Sequence, residues 1–326
     1  MAVLAQRLIT VLFLFGLFCF AFYLFTYRPF VFASFQEDLP RRASASRIRE
    51  DVERLTNFGP RSMENPQLLS TIADDLVQSF RKTNARVSLQ TFTVAGSPFS
   101  NVLSEYGFSN KRGTLVIGAH YDTTALTPGA DDNASGIAGL LELGRLLADS
   151  PPPVKVLLVA FTNEEMPFFN SENMGSFIHA TSLKAAGEDV SLMISLESIG
   201  YYSDLPNSQR YPLSLLNWIY PSTGNFIAIV DRPTLSGATL GLKRAFARAT
   251  QLPAYSINAP ESVPGIAFSD HLSYWRVGFP AVMISDTAMY RNPNYHQATD
   301  VPPTLNFDRI AAVIDGVSFY VESLEP

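Results

Sequence analysis

Three stretches of the chain are continuous apolar, β-rich runs: Thr114–Ala119, Val154–Phe161 and Leu192–Leu196. Runs of this kind predict strands buried on both faces, as in parallel sheets. Around them, helical spacing of apolar residues predicts helices over Ser46–Asn57, Leu68–Arg81, Gly136–Leu147, Met174–Ala185, Leu240–Thr250 and Phe307–Val321. Val87–Val94 alternates like a strand, and Phe226–Val230 and Ala281–Ile284 add two short ones. Strand–helix alternation implies a largely parallel sheet wrapped on both sides by helices. Residues 201–224, rich in Tyr, Pro, Ser and Asn, predict a long surface loop.

One apolar run stands apart. Leu8 to Thr26 is uncharged and dominated by Leu, Phe and Val. At helical rise it reaches about 28 Å, against about 30 Å for a bilayer's hydrocarbon core. Three readings compete: an uncleaved anchor, a signal peptide cut at the poor site Phe32-Ala33-Ser34, and a buried helix apolar on every face. Length and the lack of a good cleavage site favour the anchor. The expected organisation is a transmembrane anchor over 1–27, a juxtamembrane linker over 28–44 with Pro29 and Pro40, and one domain over 45–326. Flanking charges leave orientation open, because Arg7 precedes the run while Arg28, Arg41 and Arg42 follow it.

Composition narrows the chemistry. The 326 residues are 47% hydrophobic and 17% charged, enough for a large core. Net charge is −6 and no Lys/Arg cluster runs along any segment, so nucleic acid is not an expected partner. A single cysteine, Cys19, excludes an intramolecular disulfide and every cysteine-based zinc site. Any metal must be held by Asp, Glu and the four histidines, at 120, 179, 271 and 296.

Acidic and His residues gather where the strands end. His120 and Asp122 close the first buried run, and Asn163-Glu164-Glu165 the second. Leu196-Glu197-Ser198 closes the third, Asp131-Asp132-Asn133 opens the helix at Gly136, and Tyr295-His296 follows a later strand. Ligands of open α/β sheets sit outside the carboxyl ends of the strands, so these clusters are expected to converge. Each has a bland alternative: a structural His, a helix N-cap, an acid-rich first turn. Together they are better explained by cations, since burying so many carboxylates without one is costly. His120 and Asp122, two apart on a strand, point to one face, which lets the carboxylate orient the imidazole.

The segments GAHYD, GADDNASG, FTNEE with MGS, SLESIG, SDHLSYWRVGFPA and a final YH resemble the zinc aminopeptidase family of bacterial leucyl aminopeptidases. Glutamate carboxypeptidases and glutaminyl cyclases are more distant relatives. The resemblance covers roughly residues 45 to 326. It implies a single α/β domain with a mixed, mainly parallel sheet, two zinc ions and a peptide substrate. Position by position, it implies His120 and Glu197 on one zinc, Glu165 and His296 on the other, and Asp132 bridging. Glu164 is then the general base, with Asp122, Asp270 and His271 behind the site or against substrate. His179, in a helix, is expected to be structural.

Many relatives carry Asp where Glu197 stands, which weakens any transfer of fine substrate preference. The expected activity is a membrane-anchored aminopeptidase acting on short peptides, with its catalytic domain on the exported side by family analogy. Two alternatives stay open: a related carboxypeptidase or glutaminyl cyclase chemistry, and a catalytically inactive membrane-tethered binding domain.

Overall fold

The computed structural model describes residues 2–27, 31, 35, 42–107, 111–234 and 237–325. In chain order the elements are α1 (Ala2–Tyr27), α2 (Ala45–Thr56), α3 (Pro66–Arg81), β1 (Arg86–Val94), β2 (Ser97–Tyr106) and β3 (Thr114–His120). Then come α4 (Gly136–Asp149), β4 (Val156–Phe161), α5 (Gly175–Ala185), β5 (Val190–Glu197) and β6 (Ile227–Asp231). The last are α6 (Ala238–Ala249), β7 (Ala254–Asn258), α7 (His271–Val277), β8 (Ala281–Ser285) and α8 (Phe307–Glu322).

The eight strands form one mixed sheet in the order β1-β2-β4-β3-β5-β8-β6-β7. At its centre β4, β3, β5 and β8 run parallel. The hairpin β1–β2 joins β4 antiparallel, and the parallel pair β6–β7 joins β8 antiparallel. Successive side chains on a strand point to opposite faces, so each central strand feeds two cores. Ile117, Leu158, Ile194 and Ile284 pack on one face with Leu140 of α4 and Ile314 of α8. Val116, Val159, Met193 and Met283 pack on the other with Ala180 of α5 and Tyr274 of α7. The expected sheet with helices on both faces is the one observed.

Local signals account for the helix starts. Ser44 caps α2 by accepting the amide of Arg47, Asn65 caps α3 with Pro66 in its first turn, and Asn306 caps α8. Three elements escape the sequence reading: β2, β7 and α7. The turn at Ala95-Gly96, both with positive φ, reverses the chain from Val94 to Ser97. Such two-residue turns are the tightest hairpin connections. β2 is hard to recognise because its buried and exposed positions do not alternate cleanly.

The membrane expectation is corrected. α1 is apolar on all sides, and its side chains are described over residues 5–21. Among the described residues, no helix is long and apolar enough to cross a membrane. This overturns the transmembrane helix over 1–27, the membrane as a partner, and the single-pass placement with an exported catalytic domain. Most of the linker expected over 28–44 lies outside the described residues.

Candidate metal centre

Because β3, β4, β5 and β8 are parallel and in register, their carboxyl ends meet at one edge of the sheet. His120 sits opposite Phe161, and Glu197 opposite Ser285. The chain leaves two of these strands abruptly, through Asn163 at φ 62° and Ser198 at φ 48°. Left-handed backbone at residues other than glycine is costly and concentrates at functional sites. Here it flanks the glutamates at 164, 165 and 197.

Two groups of ligand atoms result. His120, Asp132 and Glu197 each place one such atom within 4.8 Å of the others, and so do Asp132, Glu165 and His296. Asp132 belongs to both groups through different oxygens. Its Oδ1 lies 3.2 Å from His120 Nε2, and its Oδ2 2.9 Å from His296 Nε2. Nε2 of His120 is also 3.2 Å from Glu197 Oε2, and Nε2 of His296 is 3.4 Å from Glu165 Oε1.

Several of these atoms are left unsatisfied by one another. His120 Nε2, Asp132 Oδ1 and Glu165 Oε1 are buried without a hydrogen-bond partner among the described residues. A buried polar atom left unpaired costs about 1–3 kcal/mol. Nitrogen and carboxylate oxygens gathered this closely, several of them unpaired, fit a divalent cation with nitrogen and oxygen ligands. Glu164 stands outside both groups, with Oε2 3.9 Å from His120 Nε2. Burial holds its carboxyl well above the usual range, against the pull of His120 and with the push of Glu197 and Glu165.

The surroundings fix these side chains. His120 Nδ1 donates to the main-chain carbonyl of Asp122 at 3.1 Å. The Asp122 carboxylate, with Oδ1 3.7 Å from the same ring nitrogen, accepts the amides of Glu164 and Glu165 at 3.2 and 3.0 Å. So Asp122 ties the strand carrying His120 to the glutamate pair, and orients the imidazole with its backbone oxygen. Glu197 accepts Ser198 Oγ at 3.1 Å and Ser269 Oγ at 2.9 Å, two hydroxyls that hold the long side chain in one rotamer. Asn133 bonds Leu196 O, Gly136 N and Ser198 N, locking the Asp132 turn to the end of β5. Gly136 is required there, since a Cβ would come within 2.4 Å of Asn133 Oδ1.

The remaining expected residues divide. Asp270 is fully buried with neither oxygen hydrogen-bonded among the described residues, and burial pushes its carboxyl up to about 7. His271 faces away: Nε2 donates to Ile266 O at 2.8 Å and the ring meets Trp275 edge-on. Burial pulls its pKa down to about 4, so it is neutral. His179 bonds Tyr274 Oη at 2.5 Å inside the second core. Sequence reasoning overlooked Ser269, Arg61 and Asp300. None carries a local signature; each acts through a partner distant in sequence.

Beside the centre opens an apolar cavity of about 800 Å³ including its mouth. Glu197 and Tyr295 belong to its lining, together with Tyr220, Phe226, Tyr255 and Met283. Tyr295 stacks on His296 with ring centroids 3.9 Å apart, and burial, reinforced by Asp132 and Glu197, keeps its phenol protonated.

The protonation of the second ligand group gives a measurable consequence. Despite partial burial, Asp132 and Glu165 raise His296 to about 10, while burial and Asp132 push Glu165 up to about 7. At pH 7 the metal-free protein therefore carries a proton on His296, with the raised Glu165 carboxyl beside it. A ligating His296 must give up that proton, and Glu165 must be ionised to bind, so binding is expected to release at least about one proton there and to weaken as pH falls. Calorimetric titration with zinc in buffers of different ionisation enthalpy counts them. Release of less than about half a proton would contradict this assignment of charge.

One carboxylate offering an oxygen to each of two ligand groups, at the open end of parallel strands, is the arrangement of a dinuclear metallopeptidase. Residues 101–321 match the model of Peptidase family M28, and the chain belongs to that family. It is 44% identical over 300 residues to the uncharacterized protein YfbL of Escherichia coli K12, covering 89% of this chain and 91% of that one. With a protein of Fusarium vanettenii named leucine aminopeptidase 1 it shares 25% identity over 289 residues, 84% of this chain and 68% of the relative. Among solved structures, a Bacteroides thetaiotaomicron leucine aminopeptidase precursor superposes with a TM-score of 0.66 at 16% identity, covering 88% of this chain and 99% of that one. A glutaminyl cyclase of the same organism gives 0.67 at 17%, covering 88% and 100%. At such identities the likeness is one of fold.

Proposed function

We propose that the chain is a two-zinc aminopeptidase acting on short peptides, with its catalytic unit spanning 45–326. In this reading His120 and Glu197 would hold one ion, Glu165 and His296 the other, and Asp132 would serve both groups. The observation that carries this reading is the position of Glu164: buried among the ligands, belonging to neither group, with its carboxyl held high. A base working near neutral pH has that character. When bound, a zinc pair supplies Lewis acidity toward water and toward a peptide carbonyl. Glu164 then accepts a proton from the attacking water as the C–O bond forms. It returns that proton to the amine nitrogen as the C–N bond breaks.

The acidic edge attracts a free N-terminal ammonium. The cavity beyond Glu197 suits a large apolar first side chain, since fully burying one is worth about 1.5–3 kcal/mol. Purified protein should therefore contain about two zinc ions per chain and cleave leucyl and phenylalanyl anilides well above alanyl ones. N-acetylated versions should be inert. Cleavage of blocked substrates at the same rate would sink the aminopeptidase reading, and cyclisation of N-terminal glutamine without hydrolysis would favour the cyclase.

The ligand assignment is separable by variants. Glu197→Ala should lose zinc chiefly from the site it shares with His120, whereas Glu197→Asp, which keeps the anionic oxygen, should be milder. His296→Ala should empty the other site. Metal titration distinguishes them; full two-zinc stoichiometry in Glu197→Ala would remove Glu197 from the ligand set.

A further inference from the structure

Arg61 is the largest fully buried side chain in the described structure, and it lies outside residues 101–321 that match the family model. It follows α2, in the turn before α3, and all its guanidinium bonds go to main-chain carbonyls. Nε donates to Tyr121 O at 2.8 Å, Nη2 to Gly129 O at 2.9 Å, and Nη1 to Pro128 O at 2.5 Å. Its own backbone bonds Thr123 in both directions: the amide donates to Thr123 Oγ1 at 2.9 Å, and the carbonyl accepts from Thr123 N at 3.1 Å. These contacts bracket the excursion from His120 to Asp132, a stretch with no strand or helix between residues 121 and 129.

The other edge of that stretch is held by Asp300, four residues beyond His296. Its carboxylate accepts the amides of Asp131 and Asp132 at 2.9 and 3.2 Å, and its carbonyl accepts that of Ala130 at 3.2 Å. Donors from Arg61 thus grip the carbonyls, and acceptors on Asp300 grip the amides, of the one loop that carries the shared aspartate. The fit is tight: at Gly129, with φ +60°, a Cβ would approach Asp132 O to 2.3 Å and Arg61 Nη2 to 3.0 Å.

We propose that Arg61 and Asp300 are positioning residues of the metal centre, a two-sided clamp that sets Asp132 relative to His120 and His296. By this clamp the segment preceding the family core completes the site. The inference rests on the reading that the two ligand groups bind zinc. Partners that orient ligands from behind typically carry 10- to 100-fold in metal affinity or activity.

The test is zinc affinity, read by competition with a chelating dye, alongside thermal melting of the metal-free protein. Arg61→Lys keeps the charge and loses the fork; Arg61→Met loses both. Both should bind zinc about 10-fold or more weakly, and Arg61→Met should not bind more tightly. Coulomb's law alone predicts tighter binding when a cation is removed from among carboxylates, so tighter binding would overturn the clamp. So would wild-type affinity accompanied only by a lower melting temperature. If the Arg61 variants do not fold, Asp300→Asn decides: about 10-fold weaker zinc binding with unchanged melting of the metal-free protein supports the clamp, and unchanged affinity ends it. Absence of zinc binding by the parent protein would instead refute the metal reading itself.

Discussion

Glu164→Gln is expected to lower turnover by about 10²- to 10⁴-fold, the usual contribution of a general base, while zinc content stays near two per chain. The amide is nearly isosteric with the carboxylate but cannot accept the proton. Glu164 Oε2 is 3.9 Å from His120 Nε2 and joins neither ligand group, so removing its charge should leave the metals in place. Its backbone amide remains anchored on Asp122 Oδ1 at 3.2 Å, which keeps the loop in register in the variant. The measurements are single-turnover rates on a leucyl substrate and metal analysis of the same sample. Loss of one zinc in this variant would mean that Glu164 and Glu165 have exchanged roles.

Asp132→Asn should be more damaging to the site than any other ligand substitution. Asp132 contributes an oxygen to both groups, at 3.2 Å from His120 and 2.9 Å from His296. An amide presents a donor on one side, so one cation loses its oxygen and the other loses the negative charge that balanced it. Zinc binding is expected to fall by more than the roughly 10- to 100-fold typical of a supporting residue, at both sites together, with activity reduced to background. The contrast is diagnostic: His296→Ala and Glu197→Ala each weaken one site, whereas this change weakens two. Retention of one tightly held zinc in Asp132→Asn would show that the aspartate serves a single ion.

The chain itself announced much of this centre. His120, Asp132, Glu164, Glu165, Glu197 and His296 are all legible because each sits at the end of an apolar run or beside a turn motif, and parallel strands bring such ends together. The support of the ligands was less legible. Asp122 reads from spacing as the imidazole's partner, and its Oδ1 does lie 3.7 Å from the ring nitrogen, but the carboxylate's hydrogen bonds go to the amides of Glu164 and Glu165 and the ring's goes to the Asp122 carbonyl. Spacing of two on a strand fixes a common face, not which atom on that face makes the bond. His271 lies within the SDH motif, but its Nε2 turns back to Ile266 O inside the second core. The N-terminal apolar run shows the limit of composition: hydropathy along a sequence does not tell burial from transfer into lipid, and among the described residues no helix is long and apolar enough to cross a membrane.

The sequence by itself determined the central strands, the helices around them and the residue types able to hold a cation. Hydrophobic period and strand-end position are local quantities, written within ten or fifteen consecutive residues. The tertiary structure alone decided which carboxylates fall into each ligand group and which stands outside both. It also decided that Arg61 and Asp300, 239 positions apart, grip the two edges of one loop. Both outcomes depend on the lateral order of strands and on distances between residues remote in the chain, and no local pattern encodes either.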